Sequence, residues 1–100
     1  MTKLILTFKI HKNFSIRATQ HSMDRMKSRK IEATTAAASI IALGEERLLK
    51  AQASNEDVMV LDSINNIAVV FAFDGNKILI ITVIDKANCF VKSGTRIEKL

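Results

Sequence analysis

Ile67-Ala-Val-Val-Phe-Ala-Phe-Asp74-Gly-Asn-Lys77-Ile-Leu-Ile-Ile-Thr-Val-Ile84 decides the fold class. β-Branched and aromatic residues fill both arms and suit a pleated, packed surface. Asp74-Gly75-Asn76 between them is the clearest hairpin signal in the chain. Each arm is apolar nearly throughout instead of alternating, which predicts burial on both faces or a central place in a sheet. Working outward, Val58 to Leu61 reads as a further strand, closed by a turn over Ser63 to Asn66. Ala53 to Asp57 is a polar turn, and Arg47 to Gln52 is weakly strand-like. Beyond the hairpin, Cys89 to Lys92 suggests a short edge strand, followed by a loosely held polar tail from Ser93.

Upstream the periodicity changes from two to 3.6. Glu32 to Leu43 carries Ala36, Ala37, Ile40 and Leu43 on one stripe, a helix whose small residues allow close packing. Gly44 follows where a left-handed C-cap is expected. Thr19 is placed to cap an earlier helix that runs to about Lys30. Before it, Leu4, Leu6 and Phe8 alternate with polar neighbours as a strand does, and Phe14 and Ile16 briefly resume the pattern. The expected fold is α+β: an N-terminal strand, then two helices on one face of a four- to five-stranded antiparallel sheet, all in a single domain over residues 1–100.

Composition narrows the setting. The chain has 100 residues, 48% of them hydrophobic, with no proline and three glycines. A chain of this length buries roughly two-thirds of its unfolded surface, enough to fold alone. The one cysteine, Cys89, excludes an internal disulfide. With no secretory pattern and no apolar run of ~18–20 residues, this points to the cytoplasm and away from a membrane. The net charge of +5 is lopsided. Residues 1–30 hold eight of the fifteen Lys and Arg but a single acid, Asp24. Such a field favours a polyanionic partner on one face.

The candidate chemistry lies within that basic segment. His21, Arg25 and Arg29 recur every four residues and span about 80° of a helical wheel. Met23 and Met26 are read as core filler. If the Met sector packs on the sheet, the basic stripe faces the groove between helix and strands. A metal-free RNA cleavage needs a base for the attacking 2′-hydroxyl, an acid for the leaving oxygen and cations for the phosphorane charge. His21 suits the first or second role, Arg25 and Arg29 the third. The plain alternative is a solvated helix face. Lys27, Lys30 and Lys12 add charge nearby. Thr82, the one polar residue within Ile78 to Ile84, either points at the same groove or bonds to backbone. Lys92 and Thr95 offer further phosphate contacts or belong to a mobile tail. No metal-ligand spacing or glycine-rich phosphate loop is present, and no cofactor is expected.

His21-Ser-Met-Asp-Arg25-Met26-Lys-Ser-Arg29-Lys-Ile31 resembles the His-Ala-x-x-Arg-Met-x-x-Arg-Gly-Ile helix of small bacterial and phage proteins. Gly44 and Ile81-Thr82-Val83 match a later helix end and strand of that pattern. These proteins look related to RelE/BrnT-like toxins of the barnase–EndoU–colicin–RelE group. Lys30 stands where the pattern has Gly, so the first helix is expected to end differently. The resemblance implies an RNA target, in many members mRNA cut endonucleolytically, and often a neutralising antitoxin. The leading expectation is therefore a RelE-like RNA-binding protein, in its stronger form a metal-independent endoribonuclease of a toxin or phage. The rivals are a non-catalytic binder of single-stranded RNA or DNA, and a phage or host protein-interaction module with a basic face.

Overall fold

The computed structural model describes residues 2–9, 13–86 and 94–100. The order is β1 (Thr2–Lys9), β2 (Asn13–Thr19), α1 (Gln20–Ser28), α2 (Ala33–Ile41), α3 (Glu45–Ser54), β3 (Val58–Asp62), β4 (Ile67–Asp74), β5 (Lys77–Ile84) and β6 (Arg96–Lys99). Among the described residues the architecture is α+β, with three helices and one six-stranded sheet in the order β1-β2-β5-β4-β3-β6. The sheet is mixed where an antiparallel one is expected: β2 lies parallel to β5, and β6 parallel to β3. The central hairpin forms as read, with β4 and β5 in the middle of the sheet. Gly75 holds φ 59 at the first loop position, as a two-residue type II′ turn requires.

Alternation places one strand face against the helices. Phe14, Ile16 and Ala18 of β2, Ile78, Ile80 and Val83 of β5, Ile67, Val69 and Phe71 of β4, and Val58 and Val60 of β3 are buried there. Met26 of α1, Ala36, Ala37 and Ile40 of α2, Leu43 of the α2–α3 connection, and Leu48 and Ala51 of α3 meet them. Each large buried side chain contributes about 1.5–3 kcal/mol, which is what the conformational entropy of ordering must be set against. The sheet curls around α2, which touches β1 on one side and β3 and β4 on the other. Phe8, Phe14, Phe71 and Phe73 form a chain of ring contacts within this layer.

Four further sequence expectations change. The single N-terminal strand is a hairpin, because Phe14, Ile16 and Ala18 supply a second buried face. Arg47 to Gln52 is not strand but the middle of α3, which buries Leu48 and Ala51 at helical spacing and adds a Lys50–Glu46 pair at 3.0 Å. Residues 96–99, expected in a loose tail, form β6 and pair with Val58 to Leu61. Gly44 (φ 86) ends no helix in the left-handed region. It is the N-cap of α3 and lets the chain swing from α2 into it. The strand expected over Cys89 to Lys92 lies outside the described residues. No described helix is long and apolar enough to cross a membrane.

Candidate nucleic-acid interface

The flank of α1 is built by its two caps. Thr19 closes the N-terminus: its Oγ1 accepts the Ser22 N–H at 3.0 Å, and the buried Ser22 hydroxyl donates back to the Thr19 carbonyl at 2.8 Å. At the other end Ile31 N–H bonds the Met26 carbonyl at 2.8 Å and Lys30 N–H bonds that of Lys27 at 3.2 Å. This is a Schellman motif with Lys30 at φ 56. The helix therefore ends as a glycine-terminated one does, and Lys30 bears the left-handed strain glycine would avoid. The expectation of a different ending does not hold.

Ser22 and Met26 are buried, so α1 packs by that sector and the basic stripe lies along its margin. Along the stripe exposure falls: His21 and Arg25 are exposed, Arg29 half-buried. Arg29 Nη1 donates to the main-chain carbonyl of Val83. β2 pairs with β5 only as far as Ile80 and then leaves the sheet to become α1. The last residues of β5 thus lose their neighbour on that side, and Arg29 satisfies one stranded carbonyl. That use turns Arg29 from an open phosphate clamp into a tie between helix and sheet.

His21 accepts the Nε–H of Arg25 on Nε2 at 3.4 Å. Among the described residues no carboxylate orients its ring, since Asp24 instead accepts from Gln20 at 2.9 Å. The lone pair a general base would use is the one facing Arg25, so the geometry forms a cationic grip more readily than a proton-transfer pair. Lys27 and Lys30 are exposed but off the stripe. Among the described residues ion pairs join Arg47 to Glu98, Lys50 to Glu46 and Arg96 to Glu98. Among the described residues none involves Lys3, Lys9, Arg17, Arg25, Lys27, Arg29 or Lys30.

Two expected contributors lie elsewhere. Thr82 pairs with Val70, while the helix-facing rows run through Val69 and Val83, so Thr82 points to the opposite sheet face. A register shift in β5 between its pairs with Phe71 and Val70 sets that orientation. Thr95 precedes β6 at the end of the sheet where β3 begins, three strands from β5. The α1 grip sits where β5 finishes, so the two are not brought together. Lys12 and Lys92 lie outside the described residues.

The sequence reading missed a polar corner at the far side of α2. Asp62, 3% exposed, accepts from the Ser39 hydroxyl and the Asn65 amide at 2.7 Å each, and from the Ile64 and Asn65 N–H groups at 3.1 Å each. Burial alone pushes its carboxyl upward, but the bonds from Asn65, Ser39 and the two backbone groups outweigh it and hold it below the ordinary value. A cleft of about 470 Å³ opens beside it, bounded by Arg47, Ile64 and Leu100. Arg47 spans from α3 to β6, reaching Glu98 at 3.2 Å and the Lys99 carbonyl at 2.6 Å. Asp62 before Ser-Ile-Asn-Asn is an Asx-turn signal, the one cue that was available. With every Asp62 oxygen occupied, this corner holds structure together.

No protein-family model, no curated protein and no solved structure matches this chain.

Proposed function

We propose that this protein binds RNA and grips its phosphates with the exposed flank of α1. The observation that carries the reading is the contrast in charge pairing. Arg47 and Lys50 of α3 and Arg96 of β6 are tied to carboxylates, whereas among the described residues Lys3, Lys9, Arg17, Arg25, Lys27, Arg29 and Lys30 are not. Unpaired cations on a rigid, doubly capped helix are ready to release counterions to a polyanion. Arg25 and His21 lead the contact, Lys27 and Lys30 add field, and Arg29 holds the helix at the sheet margin. The RelE-like resemblance favours RNA over DNA. In the stronger form, a metal-independent endoribonuclease, RNA phosphate draws Arg25 away and frees His21 Nε2 to take the 2′-hydroxyl proton; the 2′-oxygen bonds to phosphorus, the bond from phosphorus to the 5′-oxygen breaks, and that oxygen takes a proton from water.

Incubation of the full chain with a long RNA in EDTA tests both forms. The binding form expects a gel shift with intact RNA, and Arg25→Ala lowers the slope of log affinity on log salt by about one. The cleaving form expects discrete fragments that vanish in His21→Ala while binding persists. Equal binding of single-stranded DNA removes the RNA preference. No binding of either at low salt sinks the proposal and turns the basic face toward an acidic protein, such as an antitoxin.

A further inference from the structure

The sheet face turned away from the helices carries a second group of cations that the sequence did not bring together. Arg17 on β2 stands beside Leu79 on β5, and Lys77 stands beside Ser15 and opposite Asp74 on β4. Register partners share a face, and Arg17, Lys77 and Asp74 converge with Thr2 around Leu79 in a cleft of about 310 Å³. That volume lies at the small end of ligand sites. One Arg17 Nη donates to the Thr2 hydroxyl at 3.4 Å, which aims the guanidinium and leaves its other donors available. Neither Arg17 nor Lys77 forms an ion pair with Asp74. The wall bearing Asp74 and Lys77 is fixed from two sides. Gln52 of α3 donates to the Gly75 carbonyl at 2.7 Å and to Asn76 Oδ1 at 3.2 Å, and Ser15 N–H bonds the Asn76 carbonyl at 3.1 Å. A fixed wall reduces the ordering cost of binding.

The three kinds of group call for a ligand with three matching parts. Two cations and a hydroxyl suit a phosphate. Leu79 offers an apolar floor for a flat ring. Asp74, acceptor-only when ionised, suits adjacent N–H donors, which guanine presents on N1 and its exocyclic amine. We infer that the Arg17–Lys77–Asp74 cleft binds one guanosine monophosphate unit, with phosphate at Arg17 and Lys77 and the base edge at Asp74. The site shares no residue with α1, so it stands apart from the RNA-grip proposal. The unit comes either as a free nucleotide or as one residue of an RNA strand.

Amide-resolved NMR titration of the full chain with GMP, UMP and inorganic phosphate at constant ionic strength tests it. GMP is expected to shift Ser15, Arg17, Lys77 and Leu79 and to bind about tenfold more tightly than UMP, the discrimination a bidentate base contact provides. Asp74→Asn is expected to erase that preference. Lys77→Gln, at an exposed position, is expected to cut GMP affinity with the melting midpoint unchanged, and Arg17→Gln provides the same test from the other strand. Inorganic phosphate binding as tightly as GMP, UMP matching GMP, or shifts confined to α1 would each overturn the inference. A guanosine-containing oligoribonucleotide at least tenfold tighter than GMP assigns the unit to RNA. Parity assigns it to free nucleotide, and either supports the site. Loss of GMP binding in Lys77→Gln with RNA binding intact separates this site from α1.

Discussion

Arg25 and Arg47 are the same residue type put to opposite uses. Arg47 bridges α3 to β6 through Glu98 and the Lys99 carbonyl, in a corner where Asp62 also has every oxygen occupied. Among the described residues the Arg25 side chain bonds His21 and no carboxylate. The corner uses its polar groups to hold the fold, and the flank leaves Arg25 untied to carboxylates among the described residues, where we propose that RNA binds. The difference teaches that the fold and the proposed function draw on separate sets of charges, so they can be perturbed separately.

The most damaging break of the corner is Asp62→Ala. It strands a buried hydroxyl, an amide and two N–H groups, and a loss of about 3 kcal/mol is expected by denaturant melts. Asp62 also sets a pH signature. Its carboxyl lies below the unfolded value of 3.8, so its contribution is complete above that pH and is lost as pH falls through the folded value. Asp62→Asn should flatten that part of the stability profile, and an unchanged profile would place the titration elsewhere. Arg47→Ala comes next, at about 2 kcal/mol, with faster amide exchange confined to Arg96–Lys99 and the facing β3. If RNA affinity falls with it in proportion, the separation of corner and flank is wrong.

Arg29→Ala sharpens the boundary between the two uses. It lies on the flank but is used as the corner residues are, so about 1.5 kcal/mol of stability should go with its bond to Val83. Arg25→Ala should cost almost no stability while weakening RNA binding. Equal melting points for the two variants would break the distinction. The smallest effect is a gain. Lys30→Gly relieves a φ of 56 and should stabilise by about 1 kcal/mol, measured as a raised melting midpoint.

Much of this was legible in local pattern. The Ile67–Ile84 hairpin, the Thr19 cap and the Met26 anchor follow from side-chain period, β-branching and capping chemistry, which act within a few residues. The helix over Glu45–Ser54 was missed although Glu45 and Glu46 at its start, Leu48 and Ala51 at helical spacing and Glu46 four before Lys50 all signalled it. A short amphipathic segment with few apolar residues reads weakly in either period until a core receives it. The edge strand Arg96–Lys99 had no local signal, because its stability comes from β3 and Arg47. For the candidate site, the stripe His21–Arg25–Arg29 was visible, but not that Arg29 is committed to Val83. The convergence of Arg17, Lys77 and Asp74 was invisible, since it depends on the β2–β5 register.

By itself, then, the sequence determined the helices α1 and α2, the strand β3, the central hairpin, and a basic first third with almost no acid. Those properties follow from steric preference, periodicity and charge count along the chain. The tertiary structure alone decided that β2 and β6 run parallel to their neighbours, that Thr82 faces away from α1, and which arginines are tied and which are open. Those outcomes depend on which carbonyls and carboxylates the folded sheet leaves within reach, and long-range pairing sets that.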